Sequence, residues 1–491
     1  MPERLSRTRK FGSVTIHQLL VLPSRIMSTV ADLPAELLFV IAAHCGRDEL
    51  KALRLANHAF LTAATEHLFR EIHISPNTHS FDRAHNVAER DHLCMHVKSV
   101  VYHYGLLEDV YPVFEAFRRE WRPARKPNEV RDPAATAAEA QASYACYLQE
   151  LGGQRDFEEV RVEEDELERL GARLPSLDSI STVLDDVKPF TELHDYIGKR
   201  VGMAAAADNY GDGRFGKLFK AVVDKPLQKI SARSIQWPDL DFIGGAPRGD
   251  PQQYRGCLRK LKFLEMGIYN ALNDFEFDDD EDKDEYMYSV DNLGVFLREA
   301  SHLTTLKLDF EELPFETHAD EMLPISQTIF KYQWPELREL KLEAICAHED
   351  ALVKFLDAHK GTLKTLCLGD IELVEEGDKL PSVLTLFQSI RRALQLRACR
   401  ITGNFTNRVD QAWYVDTEYN QQSCFRNQLE AYLCHQDLHQ PTEVCQINEQ
   451  EITQFWDEGL HLELWLHKVT GDYETFVDGS WYWCPELLAD G

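Results

Sequence analysis

The chain has 491 residues, a formal net charge of −29 and a pI near 5.1. That acidity argues against nucleic-acid or anionic-membrane partners, which need a basic face. Hydrophobic residues make up 44% and aromatic residues 10% of the chain, a globular composition with room for two to four domains. No apolar run reaches the about 18 residues that a membrane span requires, so a membrane is not expected as a partner. Eleven cysteines, scattered from Cys45 to Cys484 without a Cys-x-x-Cys pair, read as reduced thiols of a protein in the cytoplasm or nucleus.

Residues 1–27 carry Arg4, Arg7, Arg9, Lys10 and Arg25 against one acid, Glu3. An Arg-rich, acid-poor start fits a transit peptide. It equally fits a disordered basic tail, or translation that begins at Met27, and we read it in this second way.

From Leu33 to Arg70 the sequence is LPAELLFVIAAHCGRDELKALRLANHAFLTAATEHLFR. Leu33, Leu37, Leu38 and Ile41 recur at helical spacing, as do Leu50, Leu53 and Leu55, and then Phe60, Ala64 and Leu68. Pro34 suits a first helical turn, Gly46 can end that helix, and Asp48 or Asn57 can cap the next. The spacing predicts three short helices. So small a unit buries too little surface to stand alone and must pack against something else.

The LPxELL…DELKALRL…F…LF pattern closely resembles the F-box, in the form common in fungal proteins, and the resemblance covers residues 30–72. Ala56-Asn57-His58 departs from it, where family members often carry Val-x-Arg. The resemblance implies an F-box domain over 28–72 that docks on the Skp-family adaptor of a cullin ubiquitin ligase. The adaptor-facing surface it implies comprises Leu33, Pro34, Leu37, Ile41, Leu50, Leu53 and Leu55, with Phe60 and Leu68 nearby. Some of these must instead fill the trio's own core, and the sequence does not divide them.

Residues 73–250 read as a mixed, mostly helical linking region. Ile72–Ile74 and Val97–Tyr102 are predicted strands, and Phe81–Arg90 is a predicted helix between them. Further helices are predicted over Val113–Trp121, Ala134–Leu151 and Phe157–Leu170, with a strand around Leu174–Ile180. Glu158, Glu159, Glu163, Glu164 and Glu166 suggest a solvated helix face.

Residues 251–410 repeat. Leucine-rich repeats follow L-x-x-L-x-L-x-x-N/C-x-L. Leu258-Leu261-Phe263-Met266-Ile268, Leu303-Leu306-Leu308 with Leu313, Leu337-Leu340-Leu342-Ile345 and Leu363-Leu366-Leu368-Ile371-Leu373 fit that frame. A fifth copy starts at Arg391 and continues through Leu394, Leu396, Cys399 and Ile401, with Cys399 at the N/C position. Helices are expected between them over Val290–Ala300, Asp350–His359 and Val383–Arg392. Because Asn is missing at the turn of most copies, an irregular arc is expected. An ordinary α/β domain with a parallel sheet competes with this reading. The run Asp274–Glu285 reads as an acidic loop, open to a basic partner. Residues 411–491, with Trp456, Trp465, Trp481 and Trp483, read as an aromatic cap on the repeats or a binding surface.

No catalytic, metal or cofactor constellation emerges. Gly211–Lys217 has phosphate-loop spacing, but Leu218 replaces the Ser or Thr that binds magnesium, so it reads as a loop. His92, Cys94 and His96 alternate as on a strand edge and lack a fourth metal ligand. The expected fold class is therefore α/β, a small three-helix F-box followed by a leucine-rich-repeat-like strand–helix solenoid. The expected function is the substrate-recognition subunit of a Skp–cullin–F-box ligase, with adaptor, cullin complex and an unidentified target protein as partners. A scaffold without target turnover, and an enzyme hidden in 106–250 or 411–491, stay open.

Overall fold

The structure, a computed structural model, describes residues 33–56, 58–103, 111, 113–120, 133–160, 162–183, 214–236, 240, 256–269, 291–310, 328–375, 380–407, 412–415, 424–434, 474–477 and 480–483. The basic tail, Asn57, Gly211–Gly213, the acidic run, Leu313, Trp456 and Trp465 lie outside the described residues.

The chain begins with three helices, α1 Ala35–Ala43, α2 Arg47–Ala56 and α3 His58–Phe69. The Pro34 carbonyl accepts the Leu37 and Leu38 N–H groups at 3.0 and 3.3 Å, which starts α1. Gly46 starts α2 instead of ending α1. Its carbonyl accepts the Leu50 N–H at 2.9 Å, and its own N–H donates to the Glu49 carboxylate. That reciprocal bond satisfies a donor the helix would leave orphaned. Asp48 falls inside the first turn of α2, where its charge suits the helix dipole. Leu38, Ala42, Leu50, Phe60, Ala63 and Ala64 form a core of their own, apart from the main one.

The main body is mixed α/β around nine parallel strands laid side by side in chain order. They are β1 Glu71–Ile74, β2 Ser99–His103, β3 Ser179–Val183, β4 Lys229–Gln236, β5 Phe263–Tyr269, β6 Thr305–Asp309, β7 Glu339–His348, β8 Thr365–Val374 and β9 Ala398–Thr406. Parallel neighbours need a crossover. Most of the crossovers carry helices, among them Thr78–Ala88, Glu163–Ala172, Arg214–Ala221, 291–299, Glu349–Ala358 and Val383–Ala393.

Pairing aligns the inward residues into two rows. One row holds Ile72, Val100, Ile180, Ile230, Leu264, Leu306, Leu340, Leu366 and Cys399. The other holds Ile74, Tyr102, Thr182, Ala232, Met266, Leu308, Leu342, Leu368 and Ile401. These rows and the buried faces of the helices make one continuous core. Residues between the rows face the other side of the sheet, and most stay half-exposed.

The register corrects two repeat frames. Leu261, Leu303, Leu337, Leu363 and Leu396 occupy the equivalent buried position, each three residues before the first row. The first frame therefore begins at Leu261, not Leu258, which lies in a helical turn over 256–258. The fifth begins at Leu396, not Arg391, and Cys399 takes a leucine position beside Leu366. The boundary expected at 250/251 also runs through the sheet, because β4 and β5 pair across it.

Other elements differ from expectation as well. Pro133–Val160 is one long helix, and the next begins at Glu163. The glutamate run is not a solvated face throughout: Glu163 accepts the Tyr102 hydroxyl and pairs with Lys217 at 3.1 Å, while Glu166 bonds His85 at 2.6 Å. Arg214–Lys217 is helical, not loop. His92 and Cys94 lie on the short helix Asp91–Cys94, with His92 exposed and Cys94 buried, so they share no strand edge with His96. At the far end, β10 Ala412–Tyr414 pairs antiparallel with β9, and the helix Cys424–Leu433 buries Leu429 and Leu433 in the main core. These elements close the last strand. Trp481 and Trp483 lie on β12 Ser480–Trp483, paired with β11 Glu474–Val477.

Candidate functional site

The helical trio divides its apolar residues between two faces. α1, AELLFVIAA, is apolar nearly all round, so one face remains after the other is buried. Leu38 and Ala42 turn inward, whereas Leu37, Val40 and Ile41 are 47%, 54% and 39% exposed. Their spacing places them in one row along the helix. On α2, Leu50 is buried, Leu53 is packed against the small core and Leu55 is 89% exposed. On α3, Phe60 is buried, Leu68 is packed against the core and Leu61 is exposed.

The nine residues implied by the resemblance are thereby sorted. Pro34, Leu37, Ile41 and Leu55 are exposed, and Leu33 is half-buried. Leu50, Phe60, Leu53 and Leu68 build or line the trio's interior. Val40 and Leu61 belong to the exposed set and escaped the sequence reading. The signal for Val40 was its place three residues after Leu37 in a helix with no polar face.

A second surface is the open face of the sheet. Here charges pair across strands, Arg233 with Glu265 at 2.8 Å, Lys307 with Glu339 at 2.9 Å and Lys341 with Asp309 at 3.3 Å, and Lys341 also pairs with Glu343 on its own strand. Lys229 and Lys307 lie over the Phe263 ring at 4.9 and 5.5 Å. Burial, and the hydrogen bond its protonated form gives to Asp309, push the Glu343 carboxyl above its ordinary range, against the pull of Lys341. The Lys341 ammonium is held above its usual value by Glu343 and Asp309, which outweigh its own desolvation. Two carboxylates thus flank one ammonium. At the first strands, His73 Nδ1 meets His103 Nε2 at 2.9 Å, and His73 Nε2 meets Glu71 at 3.0 Å. The His73 bond holds the Glu71 carboxyl low.

This face is a paired, polar surface suited to contact. Among the described residues its geometry shows no nucleophile held by a base and an orienting group. Among the described residues no group of three or more His, Cys, Asp or Glu side chains is placed to hold a metal. Among them too, no helix is long and apolar enough to cross a membrane. The described cysteines are free thiols.

No protein-family model and no curated protein matches this chain.

Proposed function

We propose that this chain is an F-box substrate receptor, with the helical trio docking on a Skp-family adaptor and the open sheet face engaging a target protein. The observation that carries this reading is the exposed apolar row Leu37, Val40 and Ile41, on a trio that already has a core of its own. A surface row with that chemistry, in the LPxELL pattern, is suited to another polypeptide. The parallel strands and their helices read as a leucine-rich-repeat-like solenoid, whose stacked units display one continuous face. Catalysis then rests with a partner enzyme, and this chain raises the local concentration of the target.

The test is co-purification of the full chain with a Skp-family adaptor. Leu37→Ala, and separately a Leu33/Pro34 double alanine variant, should each reduce capture more than about tenfold, the loss expected at a hot spot. Capture unchanged by the double variant, with folding intact, would remove the assignment. Target accumulation when the chain is depleted, read by quantitative proteomics, separates a ligase receptor from a scaffold without turnover.

A further inference from the structure

At the junction of the trio and the sheet lies a cavity of about 310 Å³. Four cationic side chains line it: Arg47, Lys51 and Arg54 from one stripe of α2, and Arg83 from the helix Thr78–Ala88. Its apolar lining includes Phe69, Ile72 and Val87. Glu71 is the one carboxylate among the lining residues, and His73 holds it at 3.0 Å.

This convergence runs against the composition of a chain with 82 acidic and 53 basic residues. Neither Arg47 nor Arg54 has a carboxylate within ion-pairing distance among the described residues. The Arg54 guanidinium lies 5.2 Å from the Phe69 ring centroid. Its Nε is sealed from solvent and has no hydrogen-bond partner among the described residues. Arg54 is otherwise half-buried, so an incoming anion would meet the outer N–H groups of a guanidinium that has no counter-charge among the described residues.

We propose that this junction cavity binds a phosphate monoester carried on an apolar body. Guanidinium forks match phosphate oxygens, and a ring-backed Arg is already oriented for them. The volume is at the small end of ligand pockets, enough for a phosphate and a ring-sized group. The cations come from the trio and from the main body, which bury their apolar residues in separate cores. A bound ester would therefore tie one to the other.

The test uses the full chain and phenyl phosphate as probe, followed by calorimetry. Phenyl phosphate should bind at least about tenfold tighter than phenol or inorganic phosphate, since each lacks half the ligand. An Arg54→Gln/Arg83→Gln variant should lose about tenfold or more, as charge-assisted bonds are removed. If that variant does not fold, Arg47→Gln/Lys51→Gln, at exposed side chains, should show the same loss. A phosphotyrosine peptide that binds tighter than phenyl phosphate assigns the ester to a partner protein, and equal affinity assigns it to a free ester. No binding of phenyl phosphate, equal binding of inorganic phosphate, or full binding by the folded variants would overturn the proposal.

Discussion

The helical trio and the nine-stranded body solve the same burial problem in opposite ways. In the body, two rows of inward residues run the width of the sheet, and from Ile230 to Leu368 they have no exposure. In the trio, three of the six core residues are alanines, which bury little area, while Leu37, Val40 and Ile41 face outward. Apolar burial stabilises by roughly 25 cal/mol per Å². The body therefore has most of the stability, and the trio leaves apolar surface exposed.

The sharpest way to break that contrast is to truncate one leucine in each region. Leu342→Ala, in the second inward row, should cost about 2–5 kcal/mol in urea unfolding, through lost contacts and the cavity left behind. Leu37→Ala should change stability by less than about 0.5 kcal/mol, as for other exposed sites. Its cost should appear instead as about 2 kcal/mol in adaptor capture. If Leu37→Ala destabilised the chain as much as Leu342→Ala, the exposed row would be core, and the docking role would fail.

Much of this division was legible in the sequence, but unevenly. Period-3.6 spacing gave the three helices, because helical periodicity survives whichever face is buried. It did not give the split between Leu38, which is inside, and Leu37, which is outside, since both are leucines in a helix without a polar face. The parallel strands between Leu303 and Leu373 were readable because leucine fills nearly every inward position. The frame slipped at Leu258 because a helical turn and the L-x-x-L of a repeat share a three-residue spacing, and Leu258 is buried too. β3 and β4 were missed as members of the sheet's series because Thr182 and Ala232 stand where leucine was expected. The junction cavity was invisible, since Arg83 reaches α2 only through the fold.

A smaller effect probes where the body is tightest. The helix Glu163–Ala172 packs against Arg214–Ala221, and a Cβ at Gly171 would run into the Ala221 carbonyl oxygen. Backbone cannot swing aside as a side chain can. Gly171→Ala should cost about 1–3 kcal/mol in thermal unfolding, by overpacking. A neutral result would show that the two helices separate freely, in contrast with the sealed sheet.

Asn77 tests how the first crossover is fastened. Its side-chain oxygen accepts the His79 N–H at 2.8 Å, capping the helix Thr78–Ala88, and its amide donates to the Glu150 carbonyl at 3.0 Å. Asn77→Ala should cost about 1 kcal/mol, the usual value of a lost N-cap. Asn77→Ser should recover part of it, because a serine still caps but cannot reach Glu150. If serine recovered nothing, the bond to the long helix, not the cap, would be what matters there.

The mildest test is one of pH, and it concerns the body alone. His359 lies between Trp334, stacked at 6.0 Å, and Phe355, edge-on at 4.7 Å. The Trp334 backbone N–H donates to Nε2 at 3.1 Å, so Nδ1–H donates to the Phe355 carbonyl at 2.8 Å and the ring is neutral. Burial lowers its pKa below the ordinary histidine value, despite the Phe355 bond. Below about 6.5 the unfolded chain binds a proton that the folded chain refuses. This contribution to stability is therefore complete above about 6.5 and fades as the pH falls toward the lower folded value. Unfolding free energies measured from pH 8 to 5 should drop more steeply in the parent than in His359→Gln. Two parallel profiles would mean that the ring takes up its proton without leaving Trp334, and that this part of the core is looser than its packing indicates.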